Sequence, residues 1–145
     1  MDHRLTARVG LSLLCGIQGI ATVAIDINRT HATNPAWTRH ARFHVVWQTV
    51  TTALASVVEL GLLWGGWVSA ESGFYLALLL ASLSPIAFLV ACGTRRWFGG
   101  ALSDPNGIPP VRLAVRRKVI AVDLNLVAVV AALVTVGALV VIWRG

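Results

Sequence analysis

The sequence predicts an all-α integral membrane protein, a single domain (residues 1–145) built from four transmembrane helices. Hydrophobic residues make up 57% of the chain and charged residues only 12%, whereas soluble domains carry about 25% charged residues. The apolar residues also fall into four runs, each close to the ~20 residues that cross a bilayer. These runs are 9–25, 45–68, 72–94 and 119–143. A bundle of the four helices accounts for almost the whole chain.

Each run has its own boundary signals. The first, 9–25, follows Arg4 and Arg8, so a cleaved signal peptide is the alternative, but the run is long for a signal. The second run passes through Gly65 into a short polar turn, which predicts a tight hairpin with the third. Pro85 lies inside the third run and is expected to kink that helix. The fourth run ends the chain.

The basic residues predict both topology and partners. Nine of the twelve lie in segments 26–44 and 95–118, which four spans place on one side of the membrane. The positive-inside rule then predicts that these loops are cytoplasmic and that both termini are outside. Because the net charge of +6 is carried by residues flanking spans, we expect contact with membrane lipids and no nucleic-acid partner. Eleven of the twelve are arginine, which with abundant alanine and valine indicates a bacterial cytoplasmic membrane.

The polar segment DINRTHATNPAWTRHARFHVVWQ, residues 26–48, is the main candidate site. It holds three of the four histidines between two apolar runs, and polar groups at a membrane are costly unless they have a function. Asp26 ends the first span on the loop side, His40 and His44 begin the second there, and Asp123 lies just inside the fourth. The residues expected to converge at this mouth of the bundle are Asp26, His31, His40, His44, Gln48, Asp123 and Asn125.

A polar stripe along the second span supports this site. His40, His44 and Gln48 recur at i, i+4 and i+8, and Glu59 lies further along the same stripe. Polar stripes are expected to face the bundle interior because lipid cannot satisfy them. We therefore expect His44 to be deeper and more desolvated than His40. Glu59 belongs either to this site or to the opposite mouth.

Three kinds of chemistry fit these residues. Histidine and aspartate can act as a general acid and base near neutral pH. His40 and His44, one turn apart, could share a metal ion with His31 as a third ligand, although no metal or other cofactor is favoured. The polar residues could also form a purely structural hydrogen-bond network.

The sequence resembles the EXPERA family in four features. They are Asp26 at the end of the first span, Pro35-Ala36-Trp37, the polar second-span entry at His40, His44 and Gln48, and polar residues in the fourth span. That family of four-span membrane proteins includes the emopamil-binding sterol isomerase and the sigma-2 receptor. The resemblance implies a bundle that shifts a double bond in a lipophilic substrate by protonation and deprotonation.

The chain also departs from that family in two places. The isomerase pattern has an acidic residue one turn after the histidine of the second span, where this chain has Gln48. It has another acid in the third span, where residues 72–94 have none. Asp26, Asp123 or Glu59 would have to replace it.

The leading functional prediction is a membrane-embedded isomerase or cyclase acting on a lipophilic, terpenoid or sterol-like substrate. His40 and His44 would be the acid and base, oriented by Asp26 and Asp123. The substrate would contact a second group: Trp37, Trp47, Gln48, Asn125 and Glu59. The alternatives are a non-catalytic binding or accessory subunit and a metal-dependent membrane oxidoreductase. A homo-oligomer is compatible with each.

Overall fold

Four long helices form the bundle that the apolar runs predict. They are α1 (His3–Asp26), α2 (Arg39–Trp64), α3 (Ala70–Thr94) and α4 (Leu124–Arg144). In this computed structural model, which describes residues 2–116 and 118–145, all four are long and apolar enough to cross a membrane. The predicted fold class, an all-α bundle of four membrane-spanning helices, is confirmed.

A polar residue caps the start of each helix and fixes where it begins. The first backbone N–H groups of a helix have no partner within it, and a side-chain oxygen just before the helix accepts one of them. The cap residues are Asp2, Thr38, Ser69 and Asp123, which accept from the N–H groups of Arg4, Ala41, Ser72 and Leu126. The fourth helix therefore begins at Leu124, five residues later than the predicted span.

Residues 119–122 belong to a β-hairpin that the sequence reading missed. Strand β1 (Val111–Val115) pairs antiparallel with β2 (Lys118–Val122), with Val111 opposite Val122 and Leu113 opposite Ile120. The apolar run from residue 119 was assigned to the fourth span, but its β-branched residues favour a strand. Arg116 adopts a φ of 53° in the connection, as the short connections of hairpins require. The predicted start of the fourth span was wrong for this reason.

The apolar core lies in the half of the bundle that is nearer the chain termini. Phe74 at the start of α3 stacks on Trp143 at the end of α4, with ring centroids 4.0 Å apart. The other core residues are Ala7, Leu11, Cys15, Leu63, Ala77, Ala81 and Leu139. Every one of them lies in the first part of α1 or α3 or the last part of α2 or α4. In the half nearer the polar loops, the side chain of Thr49 in α2 donates a hydrogen bond to Asp26 at the end of α1.

A proline in α3 and a glutamine in α1 complement each other across the bundle. Pro85 has no backbone N–H, so the carbonyl of Ala81, four residues earlier, lacks its usual helical donor. Gln18 donates its side-chain Nε2–H to that carbonyl at 3.1 Å. In lipid every backbone polar group needs a partner inside the protein. Gln18 thus links α1 to α3 at the point where α3 has lost a hydrogen bond.

Replacing Gln18 by leucine should destabilise the bundle by about 0.6–1.7 kcal/mol, the range for hydrogen bonds between membrane helices. In a Pro85→Ala background the backbone of residue 85 supplies the missing donor, so the same replacement should cost less. Unfolding of the parent, both single variants and the double variant in detergent measures this coupling. An equal cost in both backgrounds would contradict the assignment.

Candidate functional site

His40 and His44 form a hydrogen-bonded pair near the start of α2. Their Nε2 atoms are 3.0 Å apart and their rings meet edge to face with centroids 4.5 Å apart. One Nε2–H must donate to the other nitrogen, so the pair offers a donor and an acceptor next to each other. Phe43 and Trp47 lie beside His44, at ring distances of 6.0 and 5.7 Å. The result is an imidazole pair bordered by two aromatic rings.

The pair lies on the outer surface of the bundle. His40, His44 and Gln48 are all exposed on the protein surface, so the predicted inward orientation of this stripe was wrong. Each i, i+4 step turns about 40° around a helix with 3.6 residues per turn. Thr52, four residues after Gln48, therefore lies about 120° around the helix from His40. Its side chain is half-buried. Only the far end of the stripe, Glu59 at 2% exposed, reaches the interior.

The two carboxylates predicted to orient the histidines have other partners. Asp26 Oδ2 accepts a hydrogen bond of 3.1 Å from the hydroxyl of Thr49, which is buried between α1 and α2. Asp123 Oδ1 accepts from the backbone N–H of Leu126 as the cap of α4. Asn125 is exposed on the first turn of that helix. The structure therefore does not pair Asp26 or Asp123 with His44, whose partner is His40.

The two loops on this side are joined by Asn34. This residue is 4% exposed and donates from Nδ2 to the backbone carbonyl of Asn106 at 2.6 Å. His31 packs edge-on against Trp37, with centroids 5.2 Å apart, and its Nδ1 shares a hydrogen bond with Thr30. The contact between Asn34 and Asn106 was not predicted from the sequence. The hydrogen bond from Asn34 to Asn106 connects the loop before α2 to the loop before β1.

The structure does not assemble the proposed metal ligands. Among residues 2–116 and 118–145, no group of three or more histidine, cysteine, aspartate or glutamate side chains is placed to hold a metal ion. His31 is engaged with Trp37 and Thr30. The third ligand suggested for His40 and His44 is thus absent from their surroundings.

A second polar region runs along the contact between α1 and α2, which we call the α1–α2 seam: Arg8, Ser12, Cys15, Gly19, Asp26, Thr49, Ser56, Glu59, Leu63 and Trp64. Within it, the thiol of Cys15 lies beside the carboxyl group of Glu59. Glu59 Oε2 has no hydrogen-bond partner among the described residues. Glu59 is therefore separated from the His40–His44 pair, and its predicted substrate contact remains a prediction.

Arg8 and Trp64 make the contacts at the end of the α1–α2 seam nearest the termini. The Arg8 guanidinium donates to the Leu63 carbonyl and lies 3.9 Å from the ring centre of Trp64. The Trp64 indole donates in turn to Ser12 Oγ at 2.8 Å. The sequence reading placed Arg8 among the flanking charges and gave it no partner. Its packing here is structural.

A shallow groove, open over most of its area to the surroundings, lies beside the start of α2. Its lining residues are Ala32, Arg39, Arg42, Phe43 and Val46. The first turn of α2 contains no acidic residue. Two guanidinium groups and an apolar wall are thus exposed together, and Phe43 stands between this groove and the His40–His44 pair.

Comparisons with protein-family models, curated proteins and solved structures find no match to this chain. The resemblance to the EXPERA family therefore remains a prediction, and function has to be inferred from the geometry above.

Thr49→Val should destabilise the protein by about 1 kcal/mol more than Thr51→Val, because only Thr49 bonds to another helix. Its hydroxyl reaches Asp26 as well as the Val45 carbonyl, whereas the Thr51 hydroxyl bonds only to the Trp47 carbonyl of its own helix. Thermal unfolding in one detergent compares the two variants. Equal losses would show that the Asp26 contact contributes nothing to stability.

Proposed function

We propose that the protein binds an amphiphilic lipid with an anionic headgroup at the loop-side surface of a bacterial cytoplasmic membrane. The observation that supports this most strongly is the groove at the start of α2. It combines Arg39 and Arg42 with the apolar side chains of Phe43 and Val46. Such a ligand carries its charge at the membrane surface and its hydrocarbon chains deeper in the bilayer. The groove likewise combines charged side chains with apolar ones.

The charges of the groove suit a phosphate or carboxylate headgroup. Guanidinium groups form paired, charge-assisted hydrogen bonds with these anions. The amino-terminal end of a helix adds partial positive charge from its backbone N–H groups. With no carboxylate in the first turn of α2 to neutralise Arg39 and Arg42, these contributions act together on a ligand.

The His40–His44 pair would extend the same binding surface past Phe43. The ring N–H groups of the pair add hydrogen-bond donors to this surface. Trp47, which is 59% exposed, offers an aromatic face beside it.

Replacing both groove arginines, Arg39→Gln with Arg42→Gln, should weaken phosphatidylglycerol binding by about thirtyfold, since each basic residue near an anionic surface contributes about 1 kcal/mol. The matched control is Arg95→Gln with Arg96→Gln, which removes the same charge on the same side outside the groove. Native mass spectrometry of the detergent-solubilised protein, titrated with phosphatidylglycerol and with glycerol phosphate, measures retention. Equal loss in both pairs would reduce the effect to general surface charge.

The hydrogen bond between His40 and His44 favours a second candidate, the predicted isomerase or cyclase. In such a reaction one histidine, present as imidazolium, would donate a proton to an alkene carbon of the bound lipid and become neutral. The other imidazole removes a proton from the carbon next to the resulting cation, which moves the double bond without net oxidation. The proton taken up by this ring would return through the Nε2···Nε2 hydrogen bond. Phe43 and Trp47 would stabilise the cation through their ring faces. The histidines would act here without Asp26 or Asp123.

If this reaction occurs, the purified protein incubated with bacterial lipid extract in D₂O should introduce deuterium into one lipid component, detected by mass spectrometry. His44→Gln keeps a hydrogen bond but cannot exchange a proton, and should slow incorporation by about 10²–10⁴-fold. His31→Gln is the control, because His31 contacts Trp37 and Thr30 rather than the pair, and it should behave like the parent. No incorporation by the parent, with lipid binding intact, would leave the binding function alone.

A further inference from the structure

The hairpin formed by β1 and β2 has one apolar face that nothing in the described structure covers. Cross-strand partners share a face of an antiparallel pair. One face carries Val111, Leu113, Val115, Ile120 and Val122, with Lys118 at the turn end. Four of these apolar residues are between 40% and 49% exposed, and Val122 is half-buried.

The opposite face is different in character. It carries Arg112, two alanines (Ala114 and Ala121) and a single larger apolar residue, Val119, which is 70% exposed. A two-stranded hairpin is only marginally stable in water, and it normally needs its apolar face packed against something. The aliphatic face is therefore the one that requires a partner.

We infer that this aliphatic face docks on the anionic surface of the bilayer that the helices cross, with Arg116 in the turn and Lys118 on the docked face reaching phosphate headgroups. The hairpin would lie along the membrane, its aliphatic side chains at the boundary between headgroups and hydrocarbon. Lys118, on the same face, would extend its ammonium group back to the headgroups along its apolar stem.

The position of the hairpin in the chain supports a lipid partner. Val122 is followed directly by Asp123, the cap of membrane-spanning α4. The hairpin therefore starts at the depth where α4 enters the bilayer. Each five-residue strand is roughly 17 Å long, so the hairpin covers its aliphatic face only by lying down on the surface.

Charge supports the same partner. Lys118 lies at the turn end of the aliphatic face, Arg116 lies in the turn beside it, and neither strand contains an acidic residue. Basic residues close to a membrane are attracted to anionic lipid by about 1 kcal/mol each. An aliphatic face edged by cations matches the combination of apolar burial and electrostatic attraction that holds elements at a membrane surface.

The test uses the full chain with Cys15→Ala and Cys92→Ala, reconstituted in vesicles of phosphatidylglycerol and phosphatidylcholine. An environment-sensitive fluorophore is attached at Leu113→Cys or, as the matched control on the opposite face, at Ala114→Cys. We expect blue-shifted emission and quenching by brominated phospholipid at position 113 and neither at position 114. Lys118→Gln should lower the ratio of docked to undocked hairpin by about fivefold.

Equal quenching at both positions, or none at position 113, would overturn the inference. So would a shielded label at position 113 that transfers energy to a second labelled copy but is not quenched by brominated lipid, because another protein chain would then cover the face.

If the cysteine-free protein does not fold, trypsin cleavage of the parent chain at the hairpin basic residues decides the question. Phosphatidylglycerol vesicles should protect these sites relative to detergent, and Leu113→Glu should abolish the protection while Ala114→Glu retains it. Protection that persists in detergent, or that survives Leu113→Glu, would also overturn the inference.

Discussion

Because lipid cannot hydrogen bond to polar groups, the polar residues of the α1–α2 seam need partners within the protein, and the rest of the structure depends on these contacts. Thr49 meets Asp26 near the loop side, and Trp64 meets Ser12 near the termini. Between them a Cβ at Gly19 would come within 2.7 Å of Ser56 Oγ, so the helices approach closely where a small residue permits it. Because these contacts fix the rotation of α2, they also decide that His40 and His44 face outward. The exposed site is a consequence of the buried seam.

Hydropathy alone predicted the four helices, because the ~20-residue length of an apolar span is a strong signal. Local chemistry is harder to predict. The run from Val119 is as apolar as a span, and only the cap at Asp123 and the pairing with Val111–Val115 show that it is a strand. Such pairing depends on contacts between segments, which composition does not record.

The candidate site was partly predicted for a similar reason. The i, i+4 spacing of His40 and His44 predicted that they share a face, and they do so closely enough to hydrogen bond. The same spacing could not show whether that face points into the bundle or away from it, because residues at i, i+4 intervals shift gradually around the helix. The partners of Asp26 and the contact between Asn34 and Asn106 join elements that are distant in sequence. A single sequence contains no direct signal for them.

The contact between Gln18 and Ala81 has a consequence for biogenesis, since its partners are 63 residues apart. At 5–20 residues per second, synthesis reaches Ala81 in α3 about 3–13 s after Gln18 has been made. The neighbouring helix α2 emerges sooner and supplies Thr49 to Asp26 during that interval. The amide of Gln18 has no such early partner. Insertion thus has an order, in which the contact between α1 and α2 forms first. The amide of Gln18 gains its partner only when α3, the helix with the proline, brings the Ala81 carbonyl to accept its hydrogen bond.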